Sequence, residues 1–92
     1  MTDAPVTVLM AVYNGSAFLP IAIDSILEQT YPAFKFLIVD DASTDDTREV
    51  IRAYEDNRIE LICLEENVGQ TAALNAGLQH ASTKWIARMD AD

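Results

Sequence analysis

The sequence predicts an α/β fold of three layers, a mainly parallel four-stranded sheet covered by helices on both faces, and three observations lead there. Short apolar runs rich in β-branched residues recur along the chain. Between them lie segments whose apolar residues return at three- and four-residue steps, the period of one helix face. The strand runs are continuously apolar, which marks strands buried on both sides and joined by right-handed crossovers.

Taken in order, Val6-Thr7-Val8-Leu9-Met10-Ala11-Val12 reads as the first strand, broken by Asn14-Gly15-Ser16. Leu19, Ala22, Ile23, Ile26 and Leu27 then form one helical face. Pro20 lacks an N–H and places that helix's start within a residue or two of itself, and Tyr31-Pro32 closes the segment. Phe34-Lys35-Phe36-Leu37-Ile38-Val39 is a second strand that runs into Asp40-Asp41. Ser43 followed three residues later by Asp46 resembles a capping box and puts a helix start there, with Thr47, Val50, Ile51 and Tyr54 on one face. Asp56-Asn57 turns the chain into a third strand, Ile59-Glu60-Leu61-Ile62-Cys63-Leu64. After Asn67-Val68-Gly69 comes a third helix that carries Leu74 and Leu78. Its row of small residues, Ala73, Gly77 and Ala81, lets it approach the sheet closely. Lys84-Trp85-Ile86-Ala87-Arg88-Met89 is the fourth strand, ending on Asp90-Ala91-Asp92.

The 92 residues make one domain at most, with no linker or repeat inside it. Fifteen acidic residues against six basic ones leave a net charge of −9, which argues against gripping a nucleic-acid backbone. The same balance suits a protein that handles anions through a bound divalent cation. A single cysteine, Cys63, excludes an internal disulfide and fits a reducing compartment. No apolar run approaches the length of a membrane span and no signal pattern opens the chain, so the sequence reads as cytoplasmic.

Ligands of open parallel sheets bind outside the carboxyl ends of the strands. Three of the four predicted strands end there on polar or acidic groups: Tyr13-Asn14, Asp40-Asp41 and Asp90-x-Asp92. An acidic residue in such a place ordinarily caps a strand or the next helix. Two adjacent carboxylates, however, repel, and at least one needs a donor or a cation; a carboxylate at a strand tip also suits a nucleobase N–H or a ribose hydroxyl. Asp90 and Asp92 alternate along an extended segment and can address one cation, with oxygen ligands favouring Mg²⁺ or Mn²⁺. The chain has neither G-x-G-x-x-G nor G-x-x-x-x-G-K-[ST], so a metal rather than a glycine-rich cradle is left to neutralise phosphates.

Five motifs in chain order now carry a family resemblance: Val8-Leu9-Met10-Ala11-Val12-Tyr13-Asn14, Ser25-Ile26-Leu27-x-Gln29-Thr30-Tyr31, Val39-Asp40-Asp41-Ala42-Ser43-Thr44-Asp45, Asn67-x-Gly69 with Ala73-x-Asn75-x-Gly77, and Ile86-Ala87-Arg88-Met89-Asp90-Ala91-Asp92. Together they resemble the N-terminal, nucleotide-sugar-binding half of a family 2 glycosyltransferase with the Rossmann-like GT-A fold, over almost the whole chain. The resemblance implies inverting transfer of a sugar from a nucleoside-diphosphate donor to an acceptor hydroxyl on a polysaccharide, lipid-linked or protein acceptor. By position, Ala11, Val12 and Tyr13 would line the base pocket, and Asp41 would hydrogen-bond the base. Asp40 would support it or reach the ribose, Asp90 would lie near the ribose, and Asp92, with Asp90, would hold the Mn²⁺ or Mg²⁺ that bridges the diphosphate. One departure is Leu74, where many members carry Arg. Arg88, a charge in an apolar strand, then needs an anionic partner, either a donor phosphate or the carboxylate of Asp40 or Asp90. The catalytic base and acceptor half are expected beyond Asp92, so residues 1–92 read as a truncated donor-binding part that does not transfer sugar unaided. That part is expected at the cytoplasmic side of a membrane at most, and to self-associate through an unpaired strand edge. A monomeric sedimentation profile at high concentration would contradict the last point.

Two other readings compete. A receiver-like regulatory module would want its acidic pair after the first strand and a Lys at a late strand tip, and Tyr13-Asn14 occupy the first position. A nucleotidyltransferase would want a Gly-rich, Arg-containing loop there. His80 reads as a surface residue that favours a helix C-terminus, Cys63 as an inert thiol, and Glu60, Glu65 and Glu66 as solvated.

Overall fold

A computed structural model describes residues 6–28, 34–81 and 85–90. They alternate strictly between strand and helix: β1 (Val6–Val12), α1 (Leu19–Leu27), β2 (Phe34–Asp40), α2 (Thr47–Arg52), β3 (Ile59–Cys63), α3 (Gln70–His80) and β4 (Trp85–Asp90). The four strands form one sheet in the order β3-β2-β1-β4, and every pairing is parallel. Register brings Val12 beside Asp40, Asp40 beside Cys63, and Ala11 beside Asp90. The strand ends therefore form one edge of the sheet.

Side chains alternate across the strands and build a core on each face. On one face Met10, Val12, Phe36 and Ile38 pack with Leu19, Ile23 and Ile26 of α1 and Ile51 of α2. On the other, Leu9, Ala11, Leu37 and Val39 pack with Ala73 and Leu74 of α3. After β3 the chain crosses back over β1, and a right-handed crossover in that reversed direction puts α3 on the opposite face from α1 and α2. The reversal at β1 and β4 is the topological switch point, where such sheets bind ligands.

Small differences from the sequence reading have local causes. Pro20 is the second residue of α1, and Phe18 is its N-cap. Tyr31-Pro32 and Lys84 lie outside the described residues. α2 begins at Thr47 and has no capping box: Ser43 instead donates to the Asp40 carboxylate, and Asp46 makes no side-chain cap bond. The capping acid is Asp45, which accepts from Thr47 N at 2.9 Å. Tyr54 falls beyond the end of α2 but still packs against the core, its hydroxyl donating to Asp24 at 2.9 Å. Leu78 is exposed, because the buried face of α3 runs through Ala73, Leu74 and Gly77. His80 is exposed and bonded to Glu60 at 2.6 Å, as a surface residue would be.

Candidate functional site

A cleft of about 220 Å³ opens at the carboxyl edge of the sheet, lined by Ala11, Val12, Tyr13, Gly15, Phe18, Asp41 and Gln70. Its floor is the end of β1, its sides the turn into α1 and the loop after β2, and α3 begins at its rim. Tyr13 is 50% exposed, whereas Asp41 is 3% exposed.

Asp41 reaches its place because its own N–H donates to the carbonyl of Val12 at 2.8 Å, extending the β1–β2 ladder by one residue. Its carboxylate then gathers the loop before α3. Oδ1 accepts from Val68 N at 2.8 Å, and Oδ2 from Gly69 N at 2.9 Å and Asn67 Nδ2 at 3.1 Å. Asn67 Nδ2 also donates to the Asp41 carbonyl at 3.0 Å. A carboxylate offers about four acceptor positions, so three donors leave Oδ1 able to take one more. Gly69 holds φ 94 and ψ 159, a backbone region that side-chain-bearing residues avoid, and a Cβ there would touch nothing. Glycine is required at that position by backbone conformation alone, so that its N–H meets Asp41 as α3 starts.

Asp40 points to the other face and is fully buried. Its carboxylate accepts from Arg48 Nε and Ser43 Oγ, and more weakly from Ser43 N at 3.4 Å. Arg48 in turn donates to the Leu64 carbonyl at 3.0 Å, tying α2 to the end of β3. The hydrogen bond to Asp40 raises the Arg48 guanidinium further above its ordinary value. Adjacent carboxylates thus avoid each other by facing opposite sides, each with its own donors. Between them and the next helix, Ala42 adopts φ 61, which is costly for alanine and turns the chain sharply after the acidic pair.

The loops after β1 and β2 are locked together by Asn14, itself at φ 52. Asn14 N donates to Ser43 Oγ at 2.8 Å, and Asn14 Oδ1 accepts from Thr44 N at 2.8 Å and Asp45 N at 3.3 Å. Gly15 N donates to the buried Thr47 Oγ1 at 3.0 Å. Hydrogen bonds from Thr47, and secondarily from Ser16, hold the Asp45 carboxyl below the usual carboxylate range. The loop that carries Tyr13 is therefore fixed relative to the one that carries Asp41.

Of the residues singled out from the sequence, Ala11, Val12, Tyr13 and Asp41 come together around the cleft. Asp40 stands behind it in an ion pair, and its cation is Arg48, so Arg88 is not its partner. Arg88 is exposed on β4, in register with Leu9. The backbone of Asp90 lies beside Ala11, at the cleft's floor, and Asp92 lies outside the described residues. Among the described residues no group of three His, Cys, Asp or Glu side chains is arranged to hold a metal; the D-x-D donor set is all oxygen, which fits Mg²⁺ or Mn²⁺. Sequence reasoning missed Arg48, Asn67 as a donor to Asp41, and Phe18. Asn67 carried a signal, its place in an Asn-x-Gly turn after a strand, whereas Arg48 lay hidden on the polar side of a short helix. Among the described residues no helix is long and apolar enough to cross a membrane.

Residues 7–92 match the family model described as glycosyl transferase family 2. Among curated relatives, the putative teichuronic acid biosynthesis glycosyltransferase TuaG of Bacillus subtilis is 38% identical over 89 residues, 95% of this chain and 35% of the relative. The UDP-Glc:alpha-D-GlcNAc-diphosphoundecaprenol beta-1,3-glucosyltransferase WfgD of Escherichia coli is 37% identical over 92 residues, 100% of this chain and 36% of the relative. The chain thus spans about a third of the length of these relatives. Among solved structures, the mannosyltransferase PcManGT from Pyrobaculum calidifontis, in complex with GDP-Man and Mn²⁺, superposes with a TM-score of 0.89 at 33% identity, covering 100% of this chain and 28% of that one. S. aureus TarS 1-349 in complex with UDP-GlcNAc gives a TM-score of 0.90 at 26% identity, covering 95% of this chain and 26% of that one. The fold is the Rossmann-like GT-A arrangement of these glycosyltransferases.

Proposed function

Since the chain belongs to glycosyl transferase family 2, we propose that it is the donor-binding part of an inverting glycosyltransferase that takes its sugar from a nucleoside diphosphate. The observation that carries this reading is the convergence of Ala11, Val12, Tyr13 and Asp41 on one cleft at the switch point, with the end of β4 beside it.

Ala11, Val12 and Tyr13 form the wall for the base, and the remaining acceptor position of Asp41 Oδ1 takes a base N–H. Asp40 acts from behind: with Arg48 and Ser43 it fixes the turn from which Asp41 projects. Asp90 stands near the ribose, and Asp92 with Asp90 would hold the divalent cation. When bound, Mn²⁺ or Mg²⁺ supplies Lewis-acid neutralisation of the leaving diphosphate. Arg88, in register with Leu9 on the strand that leads to Asp90, is not the partner of Asp40 and would serve either the donor phosphates, in place of the cation lost at Leu74, or the carboxylate of Asp90. In the reaction the acceptor hydroxyl oxygen would bond to the anomeric carbon, the bond from that carbon to the diphosphate oxygen would break, and the hydroxyl proton would pass to a base expected beyond Asp92. The acceptor is a saccharide, lipid-linked sugar or protein, met on the cytoplasmic side.

Calorimetric titration of UDP, GDP and their sugars with and without Mn²⁺ tests the reading. Saturable binding that strengthens with Mn²⁺ and falls about tenfold or more in Asp41→Asn is expected, since that change removes a charged acceptor from a buried site. A folded chain that binds none of these nucleotides would refute it.

A further inference from the structure

We infer that Phe18 is a second aromatic wall of this cleft, a ring face on which the nucleobase rests alongside Tyr13. The inference rests on the nucleotide reading of the cleft and adds a contact that the family motifs do not mark.

Tyr13 and Phe18 are aromatic side chains each 50% exposed, and both line the same cleft. Val12, Leu19 and Ile23 are buried in the core beneath α1, and the exposed Ile21 does not line the cleft, whereas Phe18 does. Phe18 precedes α1 in helical conformation, and half of its ring stays exposed where it lines the cleft. A half-exposed ring in such a place is able to meet a planar ligand.

The backbone also fixes the ring at the cleft. Phe18 N donates to the Gly15 carbonyl at 3.0 Å, and its own carbonyl accepts from Ala22 N at 3.1 Å. Gly15 is anchored in turn by Thr47. The side chain therefore projects from a turn braced at both ends. Every nucleobase has a π-face, so an aromatic wall adds affinity without choosing among bases, while Asp41 reads an edge. The division of labour has a chemical consequence: loss of the ring weakens all nucleotides alike.

The test is calorimetric titration of UDP and GDP, each with Mn²⁺, into the chain and its Phe18→Leu, Phe18→Ser and Phe18→Tyr variants, with thermal melts alongside. Leu keeps an apolar side chain without a π-face and Ser removes the ring; Phe18 is half exposed and outside the core clusters, so both variants are expected to fold, which the melts check. Both are expected to bind UDP and GDP about fivefold or more weakly, the lower range of base–aromatic stacking, and Tyr to hold wild-type affinity. Unchanged affinity in folded Phe18→Leu and Phe18→Ser overturns this inference alone. A folded wild-type chain that binds neither nucleotide overturns it together with the donor-site reading.

Discussion

Asp40 and Asp41 are neighbours of identical chemistry, yet the sheet's alternation sends them to different work. Asp41 opens on the cleft and is held by the Asn67–Gly69 loop; Asp40 is sealed behind it with Arg48. A fully buried carboxylate is tolerated only while its cation stays, and breaking such a pair costs far more than the pair is worth. Arg48→Met is therefore expected to lower the melting temperature by about 5 °C or more. The double change with Asp40→Asn should lose less than the two single losses summed, because it removes the orphaned charge. Thermal melts of the four proteins measure this, and strictly additive losses would show that the two side chains do not depend on each other. The acidic pair was legible in the sequence because two adjacent carboxylates after an apolar strand demand donors. Its cation was not, since helical periodicity identifies the apolar face of α2 but not which polar residue swings toward the sheet edge. Phe18 escaped for a related reason: an aromatic beside a helix start is ordinarily counted as core.

At the level of elements, the loops are fastened by side chains and the helices by shape. The small row on α3 was readable from residue spacing, and its use is concrete at Gly77, where a Cβ would overlap the side chain of Leu9 and meet Val39 Cγ2 at 3.0 Å. Two effects oppose each other in Gly77→Ala. Alanine gains about 1 kcal/mol of helix propensity. Overpacking a closed core costs about 1–3 kcal/mol, and Leu9, 1% exposed between β1 and α3, has no free direction in which to move. Overlap outweighs propensity, and chemical denaturation should show a net loss of up to about 2 kcal/mol with an unchanged denaturant slope. A gain in stability would mean that α3 rides outward freely. Strand and helix order were legible in the same way, from apolar runs and period. Loop fastening was not: nothing in the spacing of Asn14, Ser43 and Thr44 announces that residues 29 and 30 positions apart meet, since that contact exists only after β1 and β2 pair.

Over the whole molecule, parallel pairing and helices on both faces followed from continuous apolar strands, but the order β3-β2-β1-β4 did not, because β4 carries no pattern that says which strand edge it joins. The acidic balance was plain from composition; which carboxylates couple to stability emerges only in the fold. Asp45 is held below the ordinary value of 3.8 chiefly by the Thr47 hydroxyl, and Asp56 chiefly by hydrogen bonds from Arg58. A carboxyl depressed in the folded state binds fewer protons there than in the unfolded chain, so its contribution is complete above the ordinary carboxylate range and is lost as pH falls through the folded value. Tyr54 works in the opposite direction. Burial, then the hydrogen bond to Asp24, raises its hydroxyl above the ordinary 10.0, so its contribution is complete below pH 10.0 and is lost as pH rises through the folded value. Melting temperature should accordingly be flat from about pH 5 to 9 and fall on both sides. Asp45→Asn, which removes the ionisable partner of Thr47 and Ser16, should lower the plateau and make the acid fall shallower; Tyr54→Phe should flatten the alkaline fall alone. The carboxylate is exposed, so its share is modest and shrinks with added salt. Thermal melts across pH at low salt decide the matter: an acid limb identical in wild type and Asp45→Asn would mean that the link from the β2–α2 loop to the start of α1 carries no stability.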